Sequence, residues 1–265
     1  MVFSSTIFLF MFLPIVLAGY YLLDQRFRNV FLLFASLIFY AWGEPQFVLV
    51  MLLSILVNYV FGLFVAWMPG RRKLILTAAA VYNLSILYIF KYLNFTIRNI
   101  NQLAGQEWIT QTNITLPIGI SFFTFQAMSY VVDVARGHGR VQKNPLNTAL
   151  YISFFPQLIA GPIVRYETVA AELSDRKESL EEMADGIQRF ICGLAKKAVL
   201  SNSLARLADQ AFGQTDFTQL SVSLAWLGAL AYTLQIYYDF SGYSDMAIGL
   251  GKMFGFHFEE NFRYP

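Results

Sequence analysis

The stretch that decides the fold reads Tyr232-Thr-Leu-Gln-Ile-Tyr-Tyr-Asp-Phe-Ser-Gly-Tyr-Ser-Asp-Met-Ala-Ile-Gly-Leu250. It places two carboxylates, Asp239 and Asp245, inside an otherwise apolar run. An ionised carboxylate at the centre of a bilayer costs at least about 2.5 kcal/mol on insertion scales, so such residues usually serve a function. The stretch therefore predicts a polar functional site inside a membrane protein. The alternative is a hydrogen-bonded cluster that only packs helices together.

Gly242 and the serines around it predict a break in this helix. Ser241 or Ser244 could cap a helix that restarts after the break. A broken helix is tolerated at membrane depth only where protein or a water-filled cavity surrounds it. We therefore expect a polar tunnel or support site here, and its candidate side chains are Gln235, Tyr238, Asp239, Ser241, Tyr243, Ser244 and Asp245.

The composition is that of a polytopic membrane protein. Of the 265 residues, 57% are hydrophobic and 14% are charged, and the mean hydropathy is +0.50. An ordinary soluble domain of this length is less apolar. The net charge of +2 is too small to indicate a nucleic-acid partner. A single cysteine, Cys192, excludes an intrachain disulfide and a cysteine-rich metal site, and we expect no bound metal or cofactor.

Eight apolar stretches are candidates for membrane segments: Ser4–Leu23, 29–43, 46–67, 74–93, 116–134, 146–160, 188–208 and 222–250. Those near 20 residues match a hydrocarbon core of about 30 Å. The stretch 146–160 is too short and ends at Gly161-Pro162, so we expect a re-entrant or interfacial segment. The stretch 188–208 carries four basic residues, which makes a full crossing doubtful. We predict one all-α membrane domain over residues 1–265, a polytopic transmembrane helical bundle with re-entrant or broken helices.

Basic residues follow the first, third and fifth stretches: Arg26 and Arg28, then Arg71, Arg72 and Lys73, then Arg136, Arg140 and Lys143. The intervening turns contain fewer lysines and arginines. Under the positive-inside rule, this alternation predicts an extracytoplasmic N-terminus and places the three basic loops in the cytosol.

The segment 165–190 is the one clear shift in composition, because it is rich in charge. Within it, Ser179-Leu-Glu-Glu182 has the spacing of a capping box. Apolar residues then recur at helical spacing, which predicts an amphipathic helix at the cytosolic interface. Lys196 and Lys197 follow that helix. We expect them to reach lipid headgroups, with an anionic ligand as the alternative.

Four other polar residues are candidates for functional roles. Gln126, inside an apolar segment, predicts either an interhelical hydrogen bond or a pocket group. Arg165 follows the Gly-Pro pair and is either a phosphate or carboxylate ligand or an interfacial anchor. His138, between glycines in a basic loop, is typical of a solvated residue. His257 could act as an acid or base, although the sequence indicates no partner for it.

Several motifs occur in order along the chain: Met1-Val-Phe-Ser-Ser5, Phe39-Tyr-Ala-Trp42, Phe90-Lys-Tyr-Leu-Asn-Phe95, Leu116-Pro-Ile-Gly-Ile-Ser-Phe122, Tyr130-Val-Val-Asp133, Ala160-Gly-Pro162, Tyr237 to Gly249 and Glu260-Asn-Phe262. Through them the sequence resembles the membrane-bound O-acyltransferase family, and within it the bacterial members that acetylate polysaccharides such as alginate. The resemblance extends over essentially the whole chain.

The resemblance implies a multi-pass protein of the bacterial cytoplasmic membrane. Such a protein moves acetyl groups from cytosolic acetyl-CoA toward an extracytoplasmic polysaccharide, with the help of an extracytoplasmic acetyltransferase partner. The family carries its catalytic histidine in an Arg-Trp-His stretch shortly after the Asn-Phe motif. That position lies beyond Pro265, and neither His138 nor His257 matches it. The resemblance therefore implies the N-terminal part of such an enzyme, without a catalytic residue and inactive alone.

Two other classes of protein fit the residues. A polytopic transporter or channel could use intramembrane carboxylates to bind a proton or cation, although the sequence has no internal repeat of the kind that many transporters have. A non-catalytic membrane scaffold could recruit a soluble acetyltransferase.

Overall fold

The regular structure of this chain is helical. The structure is a computed structural model that describes residues 1–158, 161, 164–213 and 221–263. These residues contain helices and turns and no strand, which confirms the predicted all-α fold. The helices are α1 (Leu13–Leu22), α2 (Gln25–Gly43), α3 (Val48–Trp67), α4 (Arg72–Leu87), α5 (Leu93–Ala104), α6 (Ile120–Arg136), α7 (Pro145–Ser153), α8 (Tyr166–Val169), α9 (Leu180–Ala195), α10 (Asn202–Phe212) and α11 (Val222–Met253).

Short segments of other helical geometry lengthen several of these helices. Wide π-helical turns occur at Phe8–Phe12, Tyr88–Tyr92 and Lys196–Ser201. They join α1 to the residues before it, α4 to α5, and α9 to α10. Every apolar stretch predicted from the sequence therefore lies at least partly in a helix.

Two helices among the described residues are long and apolar enough to cross a membrane, Pro45–Trp67 and Pro69–Ala104. The apolar helix Phe8–Leu22 is shorter. The second spanning candidate has 36 residues, which at 1.5 Å per residue corresponds to about 54 Å. Because a hydrocarbon core is about 30 Å thick, only part of this helix can lie within it.

The described residues form two compact units. One comprises residues 1–22, 161 and 175–263, and contains α1, α9, α10 and α11. The other comprises residues 23–158 and 164–174, and contains α2 to α8. The single membrane domain inferred from the sequence stays a prediction.

A pair of buried amides joins α3 to α4 in the second unit. Asn58 and Asn83 are both fully buried. The Asn83 amide donates to Oδ1 of Asn58 at 2.8 Å, and the Asn58 amide donates to Oδ1 of Asn83 at 3.1 Å. Each amide nitrogen also donates to the carbonyl four residues earlier, Ser54 or Ala79. The pair satisfies its own polar groups where water is absent, so it fixes α3 against α4.

The Asn83→Leu substitution should destabilise the protein, because it leaves the buried Asn58 amide without its partner. We expect a loss of about 1–2 kcal/mol, measured as a lower melting temperature in detergent. Asn99→Leu is the matched control, since Asn99 is exposed and its amide reaches only the carbonyl of Phe95, four residues earlier. Equal losses in the two variants would contradict this role for the pair.

The short segment before the predicted Gly-Pro break is helical for nine residues, in α7. Asn144 caps it by accepting a hydrogen bond from the Leu146 N–H at 3.0 Å. After the helix ends, the Phe155 N–H donates to Oγ of Ser36 on α2. The end of the predicted stretch 146–160 and the residues Ala160 and Pro162 of the predicted break lie outside the described residues. A re-entrant path for this stretch therefore stays a prediction.

The predicted break at Gly242 is wrong. Helix α11 runs without interruption through 32 residues, from Val222 to Met253. Its only side-chain cap is Ser221, which accepts a hydrogen bond from the Leu224 N–H at 3.3 Å, so neither Ser241 nor Ser244 restarts a helix. The physical reason is the packing of α9 against Gly242.

Candidate functional site: a glycine-packed helix pair with buried charges

Helix α9 begins where the sequence predicts. Ser179 is its N-cap and accepts a hydrogen bond from the Glu182 N–H at 3.1 Å. The buried residues Gly186, Phe190 and Gly193 follow one face of the helix. This confirms the predicted start and cap of the helix, whereas its amphipathic placement at the membrane interface stays a prediction.

Four glycines bring the backbones of α9 and α11 into direct contact. Gly186 and Gly193 on α9 lie seven residues apart, and so do Gly242 and Gly249 on α11. A Cβ on Gly193 would lie 2.5 Å from the carbonyl oxygen of Gly242, and one on Gly249 would lie 2.6 Å from that of Gly186. The two helices are therefore antiparallel, with Gly186 opposite Gly249 and Gly193 opposite Gly242.

This contact explains why Gly242 does not break the helix. A Cβ at this position would lie 2.7 Å from the Gly193 carbonyl oxygen and 3.1 Å from the backbone nitrogen of Lys197. Glycine is required here because it lets another backbone approach closely. Gly242 keeps helical backbone geometry while it makes this contact.

Gly193→Ala should destabilise the protein. Alanine is favoured over glycine inside a helix by about 0.8–1 kcal/mol, but forcing a methyl group against the α11 backbone costs about 1–3 kcal/mol. We expect the clash to dominate and the melting temperature to fall. In the control Gly70→Ala, the added Cβ meets nothing within 4 Å, so stability should stay the same or rise. A stabilised Gly193→Ala variant would disprove the close contact.

The same helix pair carries an ion cluster centred on the buried carboxylate of Asp245. One Asp245 carboxylate oxygen, Oδ1, lies 2.7 Å from the Arg189 guanidinium, and the other, Oδ2, lies 2.5 Å from Nζ of Lys196. The Asp245 side chain is only 8% exposed. Arg189 on α9 and Lys196, the first residue of the π-helical segment that continues α9, are also seven residues apart. The glycine register therefore places one carboxylate between two cations.

The cluster extends in two directions from Asp245. Arg189 reaches Oε2 of Glu260 at 2.5 Å, beyond the end of α11. Lys196 also donates to Oγ of Ser241 at 3.1 Å. An adjacent pair joins Lys197 to Asp239 at 2.6 Å. Among the residues that the structure describes, three cations meet three carboxylates in this cluster, so their formal charges balance.

The neighbouring carboxylates offset the partial burial of the Arg189 guanidinium. Burial alone would lower the pKa of Arg189. Its hydrogen bonds with Glu260 and Asp245, and the charges of both carboxylates, outweigh burial and raise that pKa. Removing one member of such a cluster leaves an uncompensated charge, which costs more than the intact pair contributes.

The structure thus brings together three of the predicted site residues, Asp239, Ser241 and Asp245. Tyr243 and Ser244 lie on the same helix turn but outside the ion cluster. The Tyr243 ring stacks on Phe3 with ring centroids 4.5 Å apart. The Ser244 hydroxyl is buried and has no hydrogen-bond partner among the described residues.

Gln235 and Tyr238 take no part in the ion cluster either. The backbone carbonyl of Gln235 accepts a hydrogen bond from Oγ of Ser201 at 3.3 Å. The Tyr238 ring packs edge-on against the neighbouring Tyr237, with centroids 5.3 Å apart.

Gln126 and Arg165 belong to the other unit. Gln126 is buried on α6, and neither atom of its amide group has a hydrogen-bond partner among the described residues. Arg165 is exposed and pairs with Oε1 of Glu167 at 3.4 Å. Each remains a candidate for a role apart from the cluster on α9 and α11.

The prediction that Lys196 and Lys197 reach lipid headgroups is wrong, because both side chains pair with carboxylates of α11. Sequence reasoning also missed Arg189 and Glu260 as members of the cluster. The shared seven-residue spacing of the two glycine pairs and of the pair Arg189 and Lys196 was the available signal.

The two histidines have acidic neighbours. Nε2 of His257 lies 3.1 Å from Oε1 of Glu182, so it has the partner that the sequence did not reveal. His138 is 56% exposed, as predicted, and Nδ1 lies 3.0 Å from Oε2 of Glu167. Within the part of the chain that the structure describes, no three His, Cys, Asp or Glu side chains are grouped as a metal site requires.

Comparison with known proteins agrees with the family resemblance of the sequence motifs. The family model of MBOAT, the membrane-bound O-acyltransferase family, matches residues 34–265. The chain is 45% identical over 273 residues to "Probable alginate O-acetylase AlgI" of Pseudomonas syringae pv. tomato, an alignment that covers 100% of the chain and 52% of that relative. The corresponding protein of Azotobacter vinelandii is 44% identical over 271 residues, covering 100% and 54% of the two chains.

A relative with lower sequence identity is named for a different acceptor, peptidoglycan. The chain is 34% identical over 299 residues to "Peptidoglycan O-acetyltransferase" of Helicobacter pylori, covering 100% of the chain and 56% of the relative. The chain therefore spans about half the length of the curated relatives described here.

Proposed function

Because this chain belongs to the membrane-bound O-acyltransferase family, and is therefore part of a membrane protein, we propose that the whole protein is an O-acetyltransferase. It takes acetyl groups from cytosolic acetyl-CoA and passes them toward an extracytoplasmic polysaccharide such as alginate. The observation that carries the proposal is that similarity to polysaccharide-acetylating relatives extends over the entire chain.

The chemistry of this reaction defines what the protein must provide. An acceptor oxygen forms a bond to the acetyl carbonyl carbon, and the bond between that carbon and the CoA sulfur breaks. The acceptor proton passes to a general base and then to the departing sulfur. Family resemblance implies that a histidine after the motif Asn261-Phe262 acts as this base or as a carrier of the acyl group.

The residues of α9 and α11 support that motif from its N-terminal side. Glu260 immediately precedes Asn261 and is held by Arg189, which is itself held by Asp245. Asp245 therefore acts through Arg189 on the segment that enters the motif. We assign Asp245 and Arg189 as positioning residues, because both Asp245 oxygens are already engaged by cations.

Asp239 is the carboxylate better placed to meet a substrate or a histidine. Its side chain is 35% exposed, compared with 8% for Asp245, and its ion pair with Lys197 uses Oδ1. A carboxylate can accept several hydrogen bonds. Asp239 therefore can orient a histidine or hydrate a passage through the membrane without leaving Lys197.

The same proposal sets the location and the partners. Acetyl-CoA is cytosolic and the polysaccharide lies outside, so the protein resides in the bacterial cytoplasmic membrane and crosses it several times. An extracytoplasmic acetyltransferase receives the acetyl group and completes its transfer to the polysaccharide. Transport or simple scaffolding is less well supported, because the relatives are named for acyl transfer.

Asp245→Asn in the full-length protein should reduce acetyl transfer by at least about tenfold, since loss of the charge frees Arg189 and displaces Glu260. The measurement is the incorporation of labelled acetyl from acetyl-CoA into polysaccharide in membrane vesicles, at equal protein abundance. Asp185→Asn is the control, because Asp185 is a 61% exposed carboxylate on α9 whose nearest cation, Lys252, is 4.0 Å away.

A positioning role and a purely structural role differ in their kinetics. We expect Asp245→Asn to lower kcat with little change in KM for acetyl-CoA, and Arg189→Lys to retain more activity than Arg189→Gln. Full acetyl transfer by Asp245→Asn would disprove the positioning role. Solute uptake by the wild-type vesicles without any acetyl transfer would disprove the proposed function itself.

A further inference from the structure

A second polar site lies in the unit that contains α2 to α8. An open cavity of about 730 Å³ is formed by the loop 138–144 on one side and by Glu167, Ala170, Ala171 and Ser174 on the other. This volume lies within the range of pockets that bind small organic molecules. None of its residues belongs to the ion cluster on α9 and α11.

The loop that forms one wall is held firmly in place. The His138 and Gly139 N–H groups donate to the carbonyl oxygen of Asp133 at 3.0 and 3.4 Å. The Tyr166 hydroxyl donates to the carbonyl oxygen of Arg140 at 2.6 Å. Burial raises the pKa of Tyr166 above its ordinary value. The loop is therefore preorganised rather than shaped by a ligand.

The opposite wall of the cavity is fixed, like the loop, to the C-terminal end of α6. The Asp133 carboxylate accepts a hydrogen bond from the Ser129 hydroxyl at 3.0 Å and another from the Glu167 N–H at 3.3 Å. A Cβ on Gly139 would lie 2.6 Å from the ring of Tyr166, so the loop packs directly on the start of α8. Both walls of the cavity are thus tied to the C-terminal end of α6.

The charge that the cavity offers to a ligand is positive. Arg140 and Lys143 line it, and neither makes an ion pair within the described ranges. Glu167 is its acidic residue, and each of its carboxylate oxygens is already engaged, Oε1 by Arg165 and Oε2 by His138. The cavity therefore presents two exposed cations that make no ion pair with a described residue, beside a carboxylate that is already paired.

We infer that this cavity binds the phosphate group of a ligand. The arginine fork and the lysine ammonium are the side chains that proteins commonly use for phosphate, and the Arg165 guanidinium offsets the charge of Glu167. The ligand is either a soluble cytosolic compound or the headgroup of an anionic lipid, since both offer the same group.

The test measures binding of two probes to the purified native protein. Inorganic pyrophosphate is titrated by calorimetry into protein in a neutral detergent, and in a second arm the protein is placed in nanodiscs with and without phosphatidylglycerol. Arg140→Gln and Lys143→Gln should each weaken binding at least about tenfold, because a hydrogen-bonded charge is lost. Ala171→Glu should also weaken it, since it adds an unpaired carboxylate to the opposite wall.

Arg136→Gln is the matched control. Arg136 is exposed at the end of α6 and has no ion pair within the described ranges, yet it does not line this cavity. Pyrophosphate binding that is lost in the cavity variants alone supports a soluble ligand. Binding of phosphatidylglycerol alone, lost in the same variants, supports a lipid headgroup. Binding of neither probe, or equal weakening by Arg136→Gln, overturns the inference.

Discussion

The backbone contact between α9 and α11 is the constraint on which the candidate site depends. Four glycines remove the side chains that would separate the helices, and the carbonyl oxygens of Gly186 and Gly242 occupy the space. Helices that approach this closely cannot rotate about their axes independently. This packing places Asp245 between Arg189 and Lys196. Its carboxylate can be buried because both cations contact it.

Much of the fold follows from local patterns in the sequence. The apolar stretches, the amphipathic α9 and its Ser179 cap each depend on residues within a few turns of one another, and the structure has them where the sequence indicates. The site could be predicted only in part. The unusual carboxylates of α11 pointed to it, because charge inside an apolar run is informative by itself.

The incorrect predictions concern residues whose role depends on a partner that is distant in the sequence. Gly242 has the local appearance of a helix breaker, but its role is set by Gly193 on another helix. Lys196 and Lys197 have the local appearance of interfacial anchors, but their partners are Asp245 and Asp239. No propensity scale contains such pairings. They become visible in the sequence only when the spacing within one helix is compared with that in the other.

The seven-residue spacing of the glycines also limits how the gene can change. Each residue inserted into an α-helix rotates everything beyond it by about 100°. A single insertion or deletion between Gly186 and Gly193 would therefore turn one glycine away from α11, and one between Arg189 and Gly193 would also separate Arg189 from Lys196 on the helix face. Length variation in this family should accordingly fall in the connecting segments, and α9 between these two glycines should be inherited as a block of constant length.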